Sequence, residues 1–167
     1  MREMAGQISD RLNRAIEAIV AAIMLLLVVD VWLGVLDRYL LHWQLPWPEE
    51  LARYLMIWAA MLAVSCGIAR REHIGLSILL DKLPEGGRRG LLIAMDALAF
   101  LLFFYVFLYG IGFAATGLNR QAMIFGMSLA PAFAAIPVAA AIAATQLALV
   151  LIRDLGTQHL VDQAEEV

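Results

Sequence analysis

The residues able to do chemistry in this 167-residue chain are few, and most stand in one stretch. Between Arg38 and Tyr54 the sequence sets Arg38, Glu49, Glu50 and Arg53 among His42, Trp43, Gln44 and Trp47. Carboxylates and guanidinium groups this close can pair; Glu49 and Arg53 are four apart and share a helix face. Charges at helix ends ordinarily snorkel into water. A cluster of both signs can also fasten the two ends of a helical hairpin to each other, or to a partner chain. Asp30 is the sharpest single feature, a carboxyl deep inside the apolar run Ile16 to Leu36. A carboxylate near mid-helix in a membrane costs about 2.5–3.5 kcal/mol, so it needs a partner, a wet cavity or a proton. An ion or proton site is one reading. A polar contact with another helix is preferred, because no second charge lies at matching depth in the later apolar runs. Asp96, close to Arg88 and Arg89, reads as salt-bridged.

Soluble-enzyme chemistry finds no support. There is no Gly-rich phosphate loop, no HExxH and no pair of metal-spaced cysteines. His42, His73 and His159 fall in three separate loops or tails, a poor arrangement for a metal site. Cys66, the single cysteine, lies within an apolar run and reads as a small packed hydrophobe.

The elements that must position these groups follow from composition. Hydrophobic residues make up 63% of the chain and charged residues 16%, and mean hydropathy is +0.81. Globular domains average about 45–50% apolar and 25% charged, so this is a membrane chain. A net charge of −3 argues against nucleic acid. The reading is an all-α membrane protein in one domain, 1–167, with four transmembrane helices at approximately 15–38, 49–70, 90–118 and 129–153. The first run is too long for a signal-peptide core and is read as a retained helix. Pro48-Glu49-Glu50 has the composition of a helix start. Trp43, Trp47 and Tyr54 suit one membrane interface and Arg70 and Arg71 the other. Residues 72–83 carry six branched apolar residues among polar ones, too few to span, and are read as a short amphipathic helix lying along the cytoplasmic interface. Ten of the 24 residues from Leu129 to Ile152 are alanine, which predicts a helix buried against its neighbours, kinked at Pro137. Nine of the twelve basic residues fall on the side of the two termini and three on the other. The positive-inside bias therefore places both termini in the cytoplasm and loops 38–53 and 119–128 outside.

Taken together, Val35-x-x-Arg38-Tyr39, Trp47-x-Glu49-Glu50-x-x-Arg53-Tyr54, Trp58, Gly67, Arg70 or Arg71, and His73-Ile74 resemble the small, DctQ-like permease subunit of tripartite ATP-independent periplasmic (TRAP) transporters. Ala63 departs from that pattern where glycine is frequent, and Asp30 and Asp37 are more acidic than it suggests. The resemblance implies a small membrane subunit of a sodium-coupled transporter for uptake of an organic acid or similar solute. It implies a bacterial inner-membrane location, no enzyme activity and no cofactor in this chain, with sodium bound by the large permease subunit. The implied partners are that large subunit, a periplasmic solute-binding protein and membrane lipid. Arg38, Tyr39, Trp47, Glu49, Glu50, Arg53, Tyr54 and Trp58 are then the structural and large-subunit interface, with Arg38 and Glu50 expected to face each other across a tight hairpin. Arg70, Arg71, His73 and Ile74 become the cytoplasmic interfacial group. His42, Trp43, Gln44, Arg120 and Gln121 become candidate contacts for the binding protein. Two other readings compete: an independent small oligomeric transporter or channel with Asp30 in its lumen, and a membrane enzyme using His73.

Overall fold

The computed structural model describes residues 2–70 and 84–154. Helix α1 (Arg2–Leu36) runs into a π-helical turn (Asp37–Leu41) and is followed by α2 (Trp47–Ala69). After them come α3 (Glu85–Thr116), a 3-10 turn (Gly117–Asn119), α4 (Ala130–Phe133) and α5 (Ala135–Asp154). No strand occurs among the described residues, and four stretches are long and apolar enough to cross a membrane: Glu3–Leu41, Trp47–Ala69, Gly90–Asn119 and Ala130–Arg153. The all-α, four-span reading therefore holds. The interfacial segment 72–83, with Arg71, His73 and Ile74, lies outside the described residues.

Two antiparallel hairpins make the bundle, α1 against α2 and α3 against α5, and α5 also touches α1 and α2. Half of the most apolar window of the fourth span is buried and none of the third's, which makes α5 the centre. Alanine is the reason: Ala135, Ala139, Ala140, Ala143 and Ala144 are all buried, and side chains that small let three helices close on one. Ile68, Ala143 and Leu147 form the core, with Phe100 and Phe103 of α3 packed on it. Much of the aromatic row of α3 faces outward, including Tyr105 and Tyr109, as a lipid-contacting face would.

The fourth span is broken between α4 and α5, three residues before Pro137. Proline has no N–H to return to the carbonyl four residues back, here Phe133, and its ring crowds that carbonyl. The break brings Pro137 against Gly110, whose missing Cβ would stand 3.2–3.3 Å from it. Gly117 is tighter still: a Cβ there would lie 2.8 Å from the backbone of Ala130. Gly117→Ala should accordingly cost about 1–3 kcal/mol, because backbone has to move. Gly112, with nothing within 4 Å of its would-be Cβ, is the control. Thermal unfolding in detergent should show a lowered Tm for Gly117→Ala and none for Gly112→Ala.

The first helix differs from expectation. The sequence places its start near residue 15, and the structure starts it at Arg2. Ala5, Ser9 and Ile16 are buried at helical spacing, so the polar-looking lead has a small-residue face to pack. That face meets α5, where the fully buried Gln146 donates to Ser9 Oγ at 2.7 Å. At the same end Glu17 accepts from Arg70 Nε at 3.1 Å and from Asn13 at 2.9 Å, tying α1 to the last turn of α2.

Candidate functional site

The polar groups singled out between residues 30 and 54 come together at the opposite end of the bundle, where the loops 42–46 and 120–129 emerge. Three carboxylates organise it, and each meets a different fate.

Asp37 caps the loop. It is 5% exposed, and its two oxygens accept backbone N–H groups from Trp43 and Leu45, both at 2.8 Å. His42 N–H closes the π turn on the Asp37 carbonyl at 2.7 Å. His42 and Gln44 take left-handed φ angles of 53° and 55°, so the amides around Trp43 turn inward onto one carboxylate. Successive amides curled this way make an anion-binding concavity, and the anion here belongs to the chain. Sequence reasoning noticed Asp37 only as a helix end and as an acidic departure. The usable signal was an acid in the last turn of a helix, where the dipole disfavours it, just ahead of a proline-bearing turn.

Glu50 joins α2 to the second loop. It is buried, accepts Tyr54 O–H at 2.6 Å, and accepts the backbone N–H of Ile124 at 3.0 Å. The loop it grips is a small clip: Ala122 N–H bonds Met127 at 2.7 Å and Leu129 N–H bonds Arg120 at 2.9 Å. Arg38 is not its partner. Arg38 is exposed, and both Glu50 oxygens are occupied by α2 and the loop. The expected Arg38–Glu50 contact across the hairpin is thus replaced by a contact 74 residues apart. Glu49 and Arg53 do approach, at 3.8 Å with side chains 82% and 63% exposed, a surface pair contributing at most about 1 kcal/mol. Trp58 reaches α4, donating to the Pro131 carbonyl at 3.1 Å. Tyr39 is largely exposed, and Trp47 is half-buried.

Asp30 is left over. It is 5% exposed; the Ala52 backbone N–H is directed at it, but neither oxygen makes a full hydrogen bond within the described residues. It lines a cavity of about 720 Å³ between α1, the 37–46 loop and the first turns of α2, shared with Asp37, Arg38, His42 and Glu49. Asp96 is apart from this group, half-buried on α3. His42, Trp43, Gln44, Arg120 and Gln121 are all exposed, on the two loops at this same end. Among the described residues no group of three His, Cys, Asp or Glu side chains could hold a metal.

Fold and site define a multi-pass α-helical membrane protein whose polar side chains close its own turns and hairpins. The sequence profile of the DctQ component of tripartite ATP-independent periplasmic transporters matches residues 27–157, and the chain belongs to that family, whose members are transporter components and not enzymes. It is a multi-pass protein of the bacterial inner membrane. Over 85 residues, 51% of this chain and 53% of the relative, it is 31% identical to a putative TRAP transporter small permease protein of Haemophilus influenzae. It is 30% identical over 103 residues, 61% of this chain and 53% of the relative, to the ectoine TRAP transporter small permease protein TeaB of Halomonas elongata. A 106-residue match at 30% identity covers 64% of this chain and 17% of the sialic acid TRAP transporter permease protein SiaT of Haemophilus influenzae. The chain thus spans about half the length of the small permease relatives it matches.

Proposed function

We propose that this chain is the scaffolding small subunit of a sodium-coupled TRAP transporter that takes up an organic acid or a similar solute. Its partners are a large permease subunit, which carries the substrate and sodium sites, and a periplasmic solute-binding protein. The observation that carries this reading is the burial of the fourth span among its neighbours, with no charged side chain on it between Ala130 and Ile152. The fourth span is closed on its neighbours by alanine, and the cavity at the loop end is lined only by residues from Asp30 to Ala52 of the first hairpin. A small bundle centred on such a helix suits a support for a transport pathway located in another chain. The SiaT match points the same way, since there the similar stretch is a sixth or so of a much longer permease. Relatives are named for sialic acid and for ectoine, which supports a small polar solute. Exposed apolar side chains of α1 and α3, such as Leu25, Trp32, Leu98 and Leu101, are the surface for lipid and for the large subunit.

The loop end faces the periplasm in this reading and both termini lie in the cytoplasm, in line with the nine-to-three division of basic residues. Reporter fusions at residues 45 and 122 should both read periplasmic; a cytoplasmic signal from either overturns the orientation. Vesicles holding this chain alone should show no sodium-driven uptake of sialic acid or of a dicarboxylate. Uptake should appear when the large permease and the binding protein are added, and should vanish when this chain is withheld. Robust flux through the isolated chain would instead establish an independent small transporter.

A further inference from the structure

The cavity at the loop end holds a carboxyl that the fold does not use. Asp37, on its wall, is spent on Trp43 and Leu45, and Glu49, at its rim, lies within reach of Arg53 at the surface. Asp30 remains, 95% removed from solvent and lining a space of about 720 Å³, with the Ala52 backbone N–H directed at it but no full hydrogen bond to either oxygen within the described residues. It sits two turns of α1 below Asp37, about 10 Å from the loop along the helix axis. Arg38, the arginine of the cavity lining, is exposed and forms no ion pair with Asp30. An ionised carboxylate only accepts hydrogen bonds, so both oxygens call for donors. Three oxygen-bearing groups suited to a metal are not gathered here, and hard metal cations take six or more oxygen ligands. A polyatomic cation fits better. Its N–H groups can use both oxygens at once, and its carbon atoms can lie against Val31, Gly34 and Pro48 in the same walls.

We propose that this cavity is a binding pocket for an ammonium or guanidinium group, with Asp30 as its counter-ion. The turn from Asp37 to Pro46 forms the pocket's wall at the loop end. The same chemistry can be carried by a soluble amine, by the ethanolamine headgroup of a phospholipid, or by a lysine or arginine of a partner chain. The pocket is a property of this chain and does not depend on the transporter reading.

The test uses the full chain in a non-ionic detergent and the carboxyl reagent dicyclohexylcarbodiimide, with peptide mass spectrometry to read labelling at Asp30. Asp30 should label readily in the bare chain. Methylguanidinium, which unlike a primary amine does not trap the activated carboxyl as an amide, should at ten times its dissociation constant reduce that labelling about tenfold. Potassium and tetramethylammonium at equal ionic strength should leave it unchanged, because neither donates a hydrogen bond. Three further arms then locate the source. Protection in phosphatidylethanolamine vesicles but not in phosphatidylcholine vesicles assigns the group to lipid. Protection in the complex isolated from native membrane, for a chain that methylguanidinium also protects when bare, assigns it to a partner side chain. Protection only by added methylguanidinium assigns it to a soluble ligand. Equal protection by potassium, no protection by methylguanidinium, or an Asp30 that never labels in the bare chain would each overturn the proposal. None of these results bears on whether the chain supports uptake, so the two readings fail separately.

Discussion

Asp37→Ala is expected to be the most damaging single substitution at the loop end. Two backbone N–H groups, those of Trp43 and Leu45, lose the only side-chain acceptor that reaches them among the described residues. Hydrogen bonds to a charged group contribute about 1.5–3 kcal/mol each, so a loss of roughly 3–5 kcal/mol is expected. The same carboxylate also holds His42 and Gln44 in left-handed conformations that cost of order 1–3 kcal/mol each for a residue with a side chain. With it gone, the loop should relax instead of keeping its shape at lower stability. Two measurements check this: a Tm lowered by several degrees in detergent, and new protease cleavage between residues 42 and 46. Asp37→Asn separates acceptor capacity from volume. An amide keeps one acceptor oxygen and turns an N–H₂ group toward a backbone N–H, so it should lose most of the stability that alanine loses. A variant as stable as the parent and as resistant to cleavage would show that the loop is held by something else.

The second large effect is expected at Glu50. Glu50→Ala strands the Ile124 N–H and removes the acceptor of Tyr54, for a loss of about 3 kcal/mol. Its signature is different from that of Asp37. The damage should appear far along the chain, as faster amide exchange at residues 121–128, since that loop loses its anchor on α2. Tyr54→Phe removes one of the two bonds and should cost about 1 kcal/mol with the loop still attached. Arg38→Ala should change stability by less than about 1 kcal/mol, being an exposed charge. Exchanging the two charges, Arg38→Glu with Glu50→Arg, should restore nothing, because it places a guanidinium where a backbone donor needs an acceptor. Rescue by that exchange would reinstate direct Arg38–Glu50 pairing and contradict the geometry described above.

These two carboxylates explain why the cluster in the first outer turn was legible as a cluster and not as a set of bonds. Glu50 and Arg53 stood out because acids and bases are rare in this chain. Their spacing could suggest only local partners, at i+4 or across one short hairpin. The i+4 pair was indeed found, Glu49 with Arg53. The consequential contact lies 74 residues away, with a backbone amide that has no sequence signature at all. Gln146 has no sequence signature for the same reason: its partner Ser9 is 137 residues distant, in the polar stretch ahead of the first apolar run.

The sequence by itself determined the number of spans, the all-α class, the break at Pro137 and the burial of the alanine-rich helix. Each of these depends on a short window of chain meeting its solvent. A run of apolar residues long enough to satisfy its own backbone must be a helix in lipid, whatever surrounds it. Small side chains permit close approach whichever helix arrives, and a proline lacks its N–H in every environment. The tertiary structure alone decided which donor each carboxylate receives, where α1 begins, and that Asp30 faces a cavity. Those outcomes depend on the rotation and register of helices packed side by side. A shift of a single residue turns a helical side chain by about 100°, from a loop amide to lipid or to an empty pocket, while leaving the hydropathy of the run unchanged.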